Sequence, residues 1–132
     1  MRAIDTNVLV RYFTRDDEAQ HHAAARVLEG AAERGESLFV SDAVVCELVW
    51  VLGRAYRQDR ASIAAIVAGL LGARHLTLAG RTGVAGALDA YRRGRGDFAD
   101  YLIRERALAA GCTAVVTCDG ALHAEPGFAA PA

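Results

Sequence analysis

The sequence predicts an α/β protein: a three-layer α/β/α sandwich with a mainly parallel central sheet of four or five short strands. Short apolar runs, such as residues 2–5, 37–40 and 75–78, alternate with longer segments of helical periodicity. Strands that are separated by helices need crossover connections, which give parallel pairing with helices on both faces of the sheet. At 132 residues and 53% hydrophobic, the chain is long and apolar enough for one core, so we expect a single domain over residues 1–132.

The elements follow one another with clear start and stop signals. Strands are predicted at residues 2–5, 37–40, 75–78 and 112–119, with a last short strand around Phe128. Helices are predicted at residues 7–14, 17–34, 41–56, 60–71, 81–94 and 97–110. Ser41 and Asp59 are suited to cap the third and fourth helices, and Gly35 and Gly111 are suited to end the second and the sixth.

Composition excludes several classes of protein. The net charge of −1 weighs against a large electrostatic surface for nucleic acid, although it allows a small local one. Three cysteines without C-x-x-C spacing indicate reduced thiols, not a disulfide framework or a zinc site. The sequence has no apolar run of membrane-spanning length and no signal-peptide pattern at its start. We therefore expect a soluble, cytoplasmic protein that does not bind a membrane.

Acidic residues stand where strands end and helices begin. Asp5 follows the first predicted strand, Asp119 follows the A-V-V-T strand, and Asp97 and Asp100 open the helix before it. Glu47 lies in the apolar helix after the second strand, and we expect it to be partly buried. In parallel sheets, ligands bind at the carboxyl ends of the strands, so these acids are candidates for one crevice.

Each acid also has a purely structural interpretation. Asp5 and Asp97 suit helix caps, Asp119-Gly120 suits a tight turn, and Asp100 is spaced to pair with Arg104. Taken together, however, converging carboxylates would repel one another unless a cation neutralised them. Oxygen ligands of this kind favour Mg²⁺ or Mn²⁺ over zinc, and the chemistry that follows is metal-assisted phosphoryl transfer with water as the nucleophile.

The motifs D-T-N-V-L-V, Glu47 in its apolar helix, D-F-A-D-Y-L-I and T-C-D together resemble the PIN-domain nucleases, above all the VapC-type toxins of toxin–antitoxin pairs. The resemblance implies a metal-dependent endoribonuclease, held inactive by a cognate antitoxin. It places Asp5, Glu47, Asp100 and Asp119 in the family's catalytic, metal-binding quartet, with Asp97 as an extra acid. The small polar residues that it implies as supports of the site are Thr6, Asn7 and Thr117. Cys118 departs from the residues usual at its position.

Two further features bear on substrate and partners. Arg92, Arg93 and Arg95 suit either a solvated helix end or a contact with RNA phosphate. Helices 41–56 and 60–71 are so apolar that we expect a groove between them for an apolar antitoxin segment, and a second surface that forms a homodimer.

Two alternatives belong to other classes. A phosphoaspartyl protein also places Asp at strand ends, but a receiver domain uses a lysine and this chain has none. A haloacid-type phosphatase needs a second Asp two residues after the first, where this chain has Asn7. The other alternative is a PIN fold that only binds its protein partner and cleaves nothing, which the full set of acids disfavours.

Overall fold

The five strands of the computed structural model, which describes all of residues 1–132, pair only in parallel. Hydrogen bonds divide them into two sheets, one of three strands and one of two. The first has the order β1-β2-β3, with β1 at Arg2–Ala3, β2 at Leu38–Val40 and β3 at Leu76–Leu78. The second pairs β4 at Val115–Val116 with β5 at Phe128–Ala129. The predicted α/β class with parallel strands is confirmed.

Six α-helices separate the strands. Their bounds agree closely with the helical periodicity of the sequence: α1 Thr6–Phe13, α2 Glu18–Glu33, α3 Asp42–Arg54, α4 Arg60–Gly72, α5 Arg81–Arg93 and α6 Phe98–Ala109. A short 3₁₀ helix covers Gly120–Leu122. None of the six helices combines the length and the apolar character that are needed to cross a membrane.

The chain divides into two compact units, Met1–Arg81 (unit 1) and Thr82–Ala132 (unit 2). In unit 1, Leu38 and Val40 of β2 are buried between their neighbours, with Leu38 in register with Leu76 of β3. Helix α1 contacts both α2 and α3, and α3 contacts α4. The three-stranded sheet and helices α1 to α4 therefore belong to the same hydrophobic core.

Apolar residues of α3 and α4 serve mainly that core. Those that are buried are Val45, Leu48, Val49, Leu52, Ile63, Ala64, Val67 and Leu70. The exposed apolar surface on these two helices is smaller than expected. Val44, Val51, Ile66 and Leu71 remain partly exposed. Trp50 is 61% exposed, with the Arg54 guanidinium 5.8 Å from the centre of its ring. The sequence overestimated the surplus because it gave no measure of how much the sheet and α1 would cover.

Unit 2 packs tightly around aromatic side chains. Phe98 and Tyr101 of α6 are almost fully buried, and the Tyr101 ring meets Phe128 of β5 edge-on, 6.3 Å between centres. Glycines let α5 approach α6 closely: a Cβ on Gly86 would lie 2.7 Å from the Glu105 carboxylate. Gly86 of α5 therefore lies directly against Glu105, in the second half of α6.

The strand predicted at residues 112–119 is shorter and less buried than expected. Only Val115 and Val116 pair with β5, and Val116 is 66% exposed. Successive side chains of a strand point to opposite faces, so an apolar run does not ensure burial on both faces.

Candidate active site

Asp5 stands directly before α1 and caps it. Its backbone is extended, and its Oδ1 accepts a hydrogen bond from the Thr6 N–H at 2.8 Å. This confirms the capping interpretation. The side chain is exposed, and the bond uses one of its two oxygens. The cap therefore leaves the carboxylate accessible and oriented.

Thr6 carries a buried hydroxyl that lacks a partner in the chain. The residue is 2% exposed, and Oγ1 is the one buried side-chain oxygen or nitrogen without a hydrogen bond. Leaving such a group unpaired costs about 1–3 kcal/mol. Its location next to Asp5 in the sequence makes it a candidate to bind a water beside that carboxylate.

Glu47 is exposed, so the expectation that it is partly buried is wrong. The buried face of α3 contains Val45, Leu48 and Leu52, and Glu47 shares the opposite face with Trp50. The buried acid of this helix is Asp42, at its first position, which no sequence pattern distinguished. A carboxylate is favoured there by the free N–H groups of the helix start.

Asp97 and Asp100 both belong to the start of α6. Asp97 is the exposed N-cap residue, and its N–H donates to Asp100 Oδ2 at 3.0 Å, as in a capping box. Asp100 is half-buried. The predicted pairing of Asp100 with Arg104 does not form, because Arg104 donates instead to the Pro126 carbonyl at 3.0 Å and to Glu105 at 3.3 Å.

Asp119 follows β4 and caps the 3₁₀ helix. Its Oδ1 accepts from the Ala121 N–H at 3.0 Å, and its own N–H donates to Thr117 Oγ1 at 3.1 Å. The turn interpretation is thus correct, and Thr117 is in contact with the acid that it was expected to support. His123 is exposed and bonds the Thr117 carbonyl through Nε2 at 2.7 Å.

Negative charge accumulates around Asp100. Partial burial raises the pKa of its carboxyl group, and the charges of Asp97, Asp119 and Glu125 raise it further. The hydrogen bond from the Asp97 N–H acts in the opposite direction. No cation is among the groups that shift this pKa. Unit 2 therefore contains an acidic cluster that a cation would stabilise. Glu125 also belongs to this cluster, although no motif of the sequence indicated it.

The donor atoms of this cluster suit a hard cation. No three Asp, Glu, His or Cys side chains lie close enough together to form a ready-made cage. Mg²⁺ does not require one, because it commonly binds through one or two carboxylates and completes its shell with water and substrate phosphate. The acids that surround Asp100 fit an ion of this kind with bound water.

The PIN domain family matches residues 3–125 of this sequence. The chain belongs to the PIN domain family. It is also similar to a protein of Aquifex aeolicus (strain VF5) named VapC ribonuclease, with 27% identity over 117 residues, which cover 89% of this chain and 86% of the relative. The resemblance to PIN-domain proteins that the motifs indicated is confirmed.

The arginines before Asp97 occupy an exposed end of this PIN domain. Arg92 and Arg93 lie in the last turn of α5, where the helix dipole favours cations. Arg93 also forms an ion pair with Asp89. Arg95 is exposed and forms no ion pair. Arg93 and Arg95 border an open cavity of about 720 Å³ in unit 2, whose other charged residues include Glu105 and Glu125.

Proposed function

We propose that this PIN domain is a metal-dependent endoribonuclease that hydrolyses RNA phosphodiester bonds with Mg²⁺ or Mn²⁺, as a toxin of the VapC type. The observation that carries the proposal is the acidic cluster around Asp100, in which Asp97, Asp119 and Glu125 all raise the pKa of the Asp100 carboxyl group. A ribonuclease name on a relative that covers 89% of the chain supports the substrate class.

Four carboxylates are assigned to catalysis in this proposal: Asp5, Glu47, Asp100 and Asp119, with Asp97 as an additional metal ligand. A bound Mg²⁺ or Mn²⁺ supplies Lewis acidity, which activates water and offsets the charge that develops on the phosphate.

The chain's own groups orient these carboxylates. Hydrogen bonds to Asp100 Oδ2 and Asp119 Oδ1 leave the other oxygen of each acid for a cation. Thr6 and Asn7 begin α1 beside Asp5, and in the proposal the buried Thr6 hydroxyl holds a water near that acid. Thr117 steadies the backbone of Asp119.

RNA binding is assigned to the arginines before α6. Arg92, Arg93 and Arg95 are exposed at the end of α5 and in the loop that leads to Asp97. Contacts with phosphate position a nucleic acid without reading its sequence. With a net charge of only −1, the protein needs such a local cationic surface to hold a polyanion near its acids.

The direct test is cleavage of RNA by the purified chain with Mg²⁺ or Mn²⁺, and with EDTA. Cleavage is expected with either metal, should stop in EDTA, and should leave 5′-phosphate and 3′-hydroxyl ends. Full activity in EDTA would contradict the mechanism. Binding of an antitoxin without any cleavage would favour the non-catalytic binding module instead.

A double-mutant test asks whether Asp5 and Asp100 act in the same step. Asp5→Asn and Asp100→Asn should each remove nearly all cleavage, and the double variant should be no worse than either, because residues that act as a unit are not additive. Losses that multiply in the double variant would mean that the two acids act in separate steps.

Partner binding is proposed for an apolar pocket of unit 1. The pocket, about 260 Å³, is bordered by residues of α1, α2, α4 and β3. No residue of α3 lines it, so the groove expected between α3 and α4 is not the pocket that the structure contains. We assign the pocket to an apolar segment of a cognate antitoxin, and we assign the exposed Trp50 to a homodimer interface.

Two glycines of α4 allow a matched test with a co-expressed antitoxin. Gly69 borders the pocket and Gly72 does not, and a Cβ on either one would meet no atom within 4 Å. Gly69→Glu should weaken antitoxin binding and leave cleavage by the free protein unchanged, whereas Gly72→Glu should change neither. Equal binding by both variants would exclude the pocket. Sedimentation of Trp50→Ala tests the dimer.

A further inference from the structure

A buried tyrosine joins three segments of unit 2 that surround its acids. Tyr101 of α6 has no exposed surface. Its hydroxyl donates to the Glu125 carboxylate, 2.6 Å from Oε1 and 2.8 Å from Oε2, and accepts from the Gly96 N–H at 2.9 Å. One oxygen atom thus connects α6, the loop before it and the segment after the 3₁₀ helix.

The glycines of the loop are explained by this hydroxyl. A Cβ on Gly94 would overlap the Tyr101 hydroxyl and the Glu125 carboxylate. A Cβ on Gly96 would lie 3.0 Å from the same hydroxyl and 2.8 Å from a methyl group of Leu122. Neither glycine has a positive φ, so close packing, not backbone conformation, requires them. The loop therefore rests directly against the hydroxyl.

The segments that meet at Tyr101 are those that carry the acids. Gly96 immediately precedes Asp97, which caps α6 and bonds Asp100. On the other side, the Glu125 N–H donates to the Leu122 carbonyl at 2.9 Å, at the end of the 3₁₀ helix that Asp119 caps. A change at the hydroxyl would therefore reach both sides of the cluster.

We propose that Tyr101 and Glu125 are positioning residues, and that their hydrogen bond holds Asp97 and Asp100 in a fixed arrangement with Asp119 for metal binding. The inference rests on the proposed function, since it treats these acids as metal ligands. Neither residue needs to touch the substrate. Outer residues of this kind typically change metal affinity or activity by about 10–100-fold when removed.

Tyr101→Phe tests the proposal because it removes only the hydroxyl and keeps the ring. In the full-length chain, calorimetry should show Mn²⁺ binding weakened about 10-fold. The Gly96 amide should lose protection from hydrogen exchange, since its acceptor is gone. In RNA cleavage, kcat should fall while KM for RNA stays within about 2-fold, because the substrate-contacting surface is unchanged.

Variants of Glu125 give a second, independent comparison should Tyr101→Phe fold poorly. Glu125→Gln keeps an oxygen that accepts the hydrogen bond from Tyr101. Its Mn²⁺ affinity should therefore stay within about 3-fold of that of the natural chain, a smaller loss than removal of the acceptor causes. Glu125→Ala removes the acceptor and should behave like Tyr101→Phe. Equal Mn²⁺ affinity in the Gln and Ala variants would overturn the proposal.

Tyr56→Phe is the matched control, because it also removes a tyrosine–carboxylate hydrogen bond, from the Tyr56 hydroxyl to Asp16 at 2.8 Å in unit 1. It should leave Mn²⁺ affinity unchanged. If Tyr101→Phe also binds Mn²⁺ like the natural chain, the hydroxyl has only a structural role and the inference fails alone. If the natural chain itself neither binds Mn²⁺ nor cleaves RNA, the proposed function fails with it.

Discussion

Asp59 in unit 1 and Asp100 in unit 2 both stand at the start of a helix, and both accept a backbone hydrogen bond. Asp59 caps α4, and its Oδ1 accepts from the Ser62 N–H at 2.7 Å. Hydrogen bonds from the backbone and side chain of Ser62 lower the pKa of its carboxyl group. The pKa of Asp100 is raised, by burial and by three neighbouring acids. Two carboxylates at helix starts thus have pKa values shifted in opposite directions.

The two carboxylates differ in the groups that surround them. In unit 1, acids have donors: Tyr56 is the largest cause that lowers the pKa of Asp16, and Arg34 has the same effect on Glu36. In unit 2, Asp100 has other acids as its neighbours: Asp97, Asp119 and Glu125. A helix cap needs only one carboxylate. A cluster of acids that disfavour one another's ionisation therefore indicates a functional site, not a contribution to stability.

The largest expected difference is in catalysis. Asp100→Asn should lower RNA cleavage at least about 100-fold, since it removes the charge of an assigned metal ligand. Asp59→Asn keeps an equally good cap and should leave cleavage within about 2-fold of the natural chain. Single-turnover cleavage with Mn²⁺ measures both. Equal losses in the two variants would remove the functional distinction between these aspartates.

Metal binding should stabilise Asp59→Asn against unfolding but not Asp100→Asn. A ligand that binds only the folded state at 100 times its Kd stabilises it by about 2.7 kcal/mol. Mn²⁺ should therefore raise the melting temperature of the natural chain and of Asp59→Asn, and have little effect on Asp100→Asn. Melting with Mn²⁺ and with EDTA provides the comparison, and an equal Mn²⁺ shift in all three proteins would place the ion elsewhere.

Without metal, the variant at Asp100 should be more stable than a variant that loses the cap at Asp59. Asp59→Ala loses the cap of α4 and should melt a few degrees below the natural chain. Asp100→Asn keeps an oxygen for the Asp97 N–H and removes one of the clustered charges, so it should melt at the same temperature or higher. Thermal unfolding in EDTA checks this, and a sharp drop for Asp100→Asn would mean that capping is its main role.

The smallest effect is a difference in pH dependence. The pKa of Asp100 is raised in the folded state, so ionisation costs stability at neutral pH and the cost disappears as the pH falls below the unfolded value. The excess stability of Asp100→Asn in EDTA should therefore shrink between pH 7 and pH ~3.5. The pKa of Asp59 is lowered, so its contribution is present above the unfolded pKa and is lost as the pH falls through the folded one.

Denaturant unfolding at several pH values measures both differences. The deficit of Asp59→Ala relative to the natural chain should shrink as the pH falls over the same range, because the natural chain then loses the contribution of the ionised Asp59. If the free energy of unfolding varies with pH in the same way for the natural chain and Asp100→Asn, the acidic cluster does not destabilise the folded state.

Local chemistry determined the ends of the helices, and the sequence was enough to find them. Ser41 and Asp59 cap α3 and α4 as predicted, each through a bond to an N–H two or three residues ahead. Gly35 and Gly111 follow α2 and α6 with φ of +67° and +93°, which glycine adopts without strain. These features depend on neighbours within one helical turn, which a sequence displays directly.

Contacts between distant residues were decided by the tertiary structure. The sequence identified Asp97, Asp100 and Asp119 as candidates, but not Glu125, which lies 24 residues after the tyrosine that binds it. It also placed Glu47 partly inside, because the apolar residues around it did not reveal which face of α3 the unit would cover. Side-chain type and spacing specify a helix and its ends, whereas burial and the surroundings of a charge depend on which surfaces pack together.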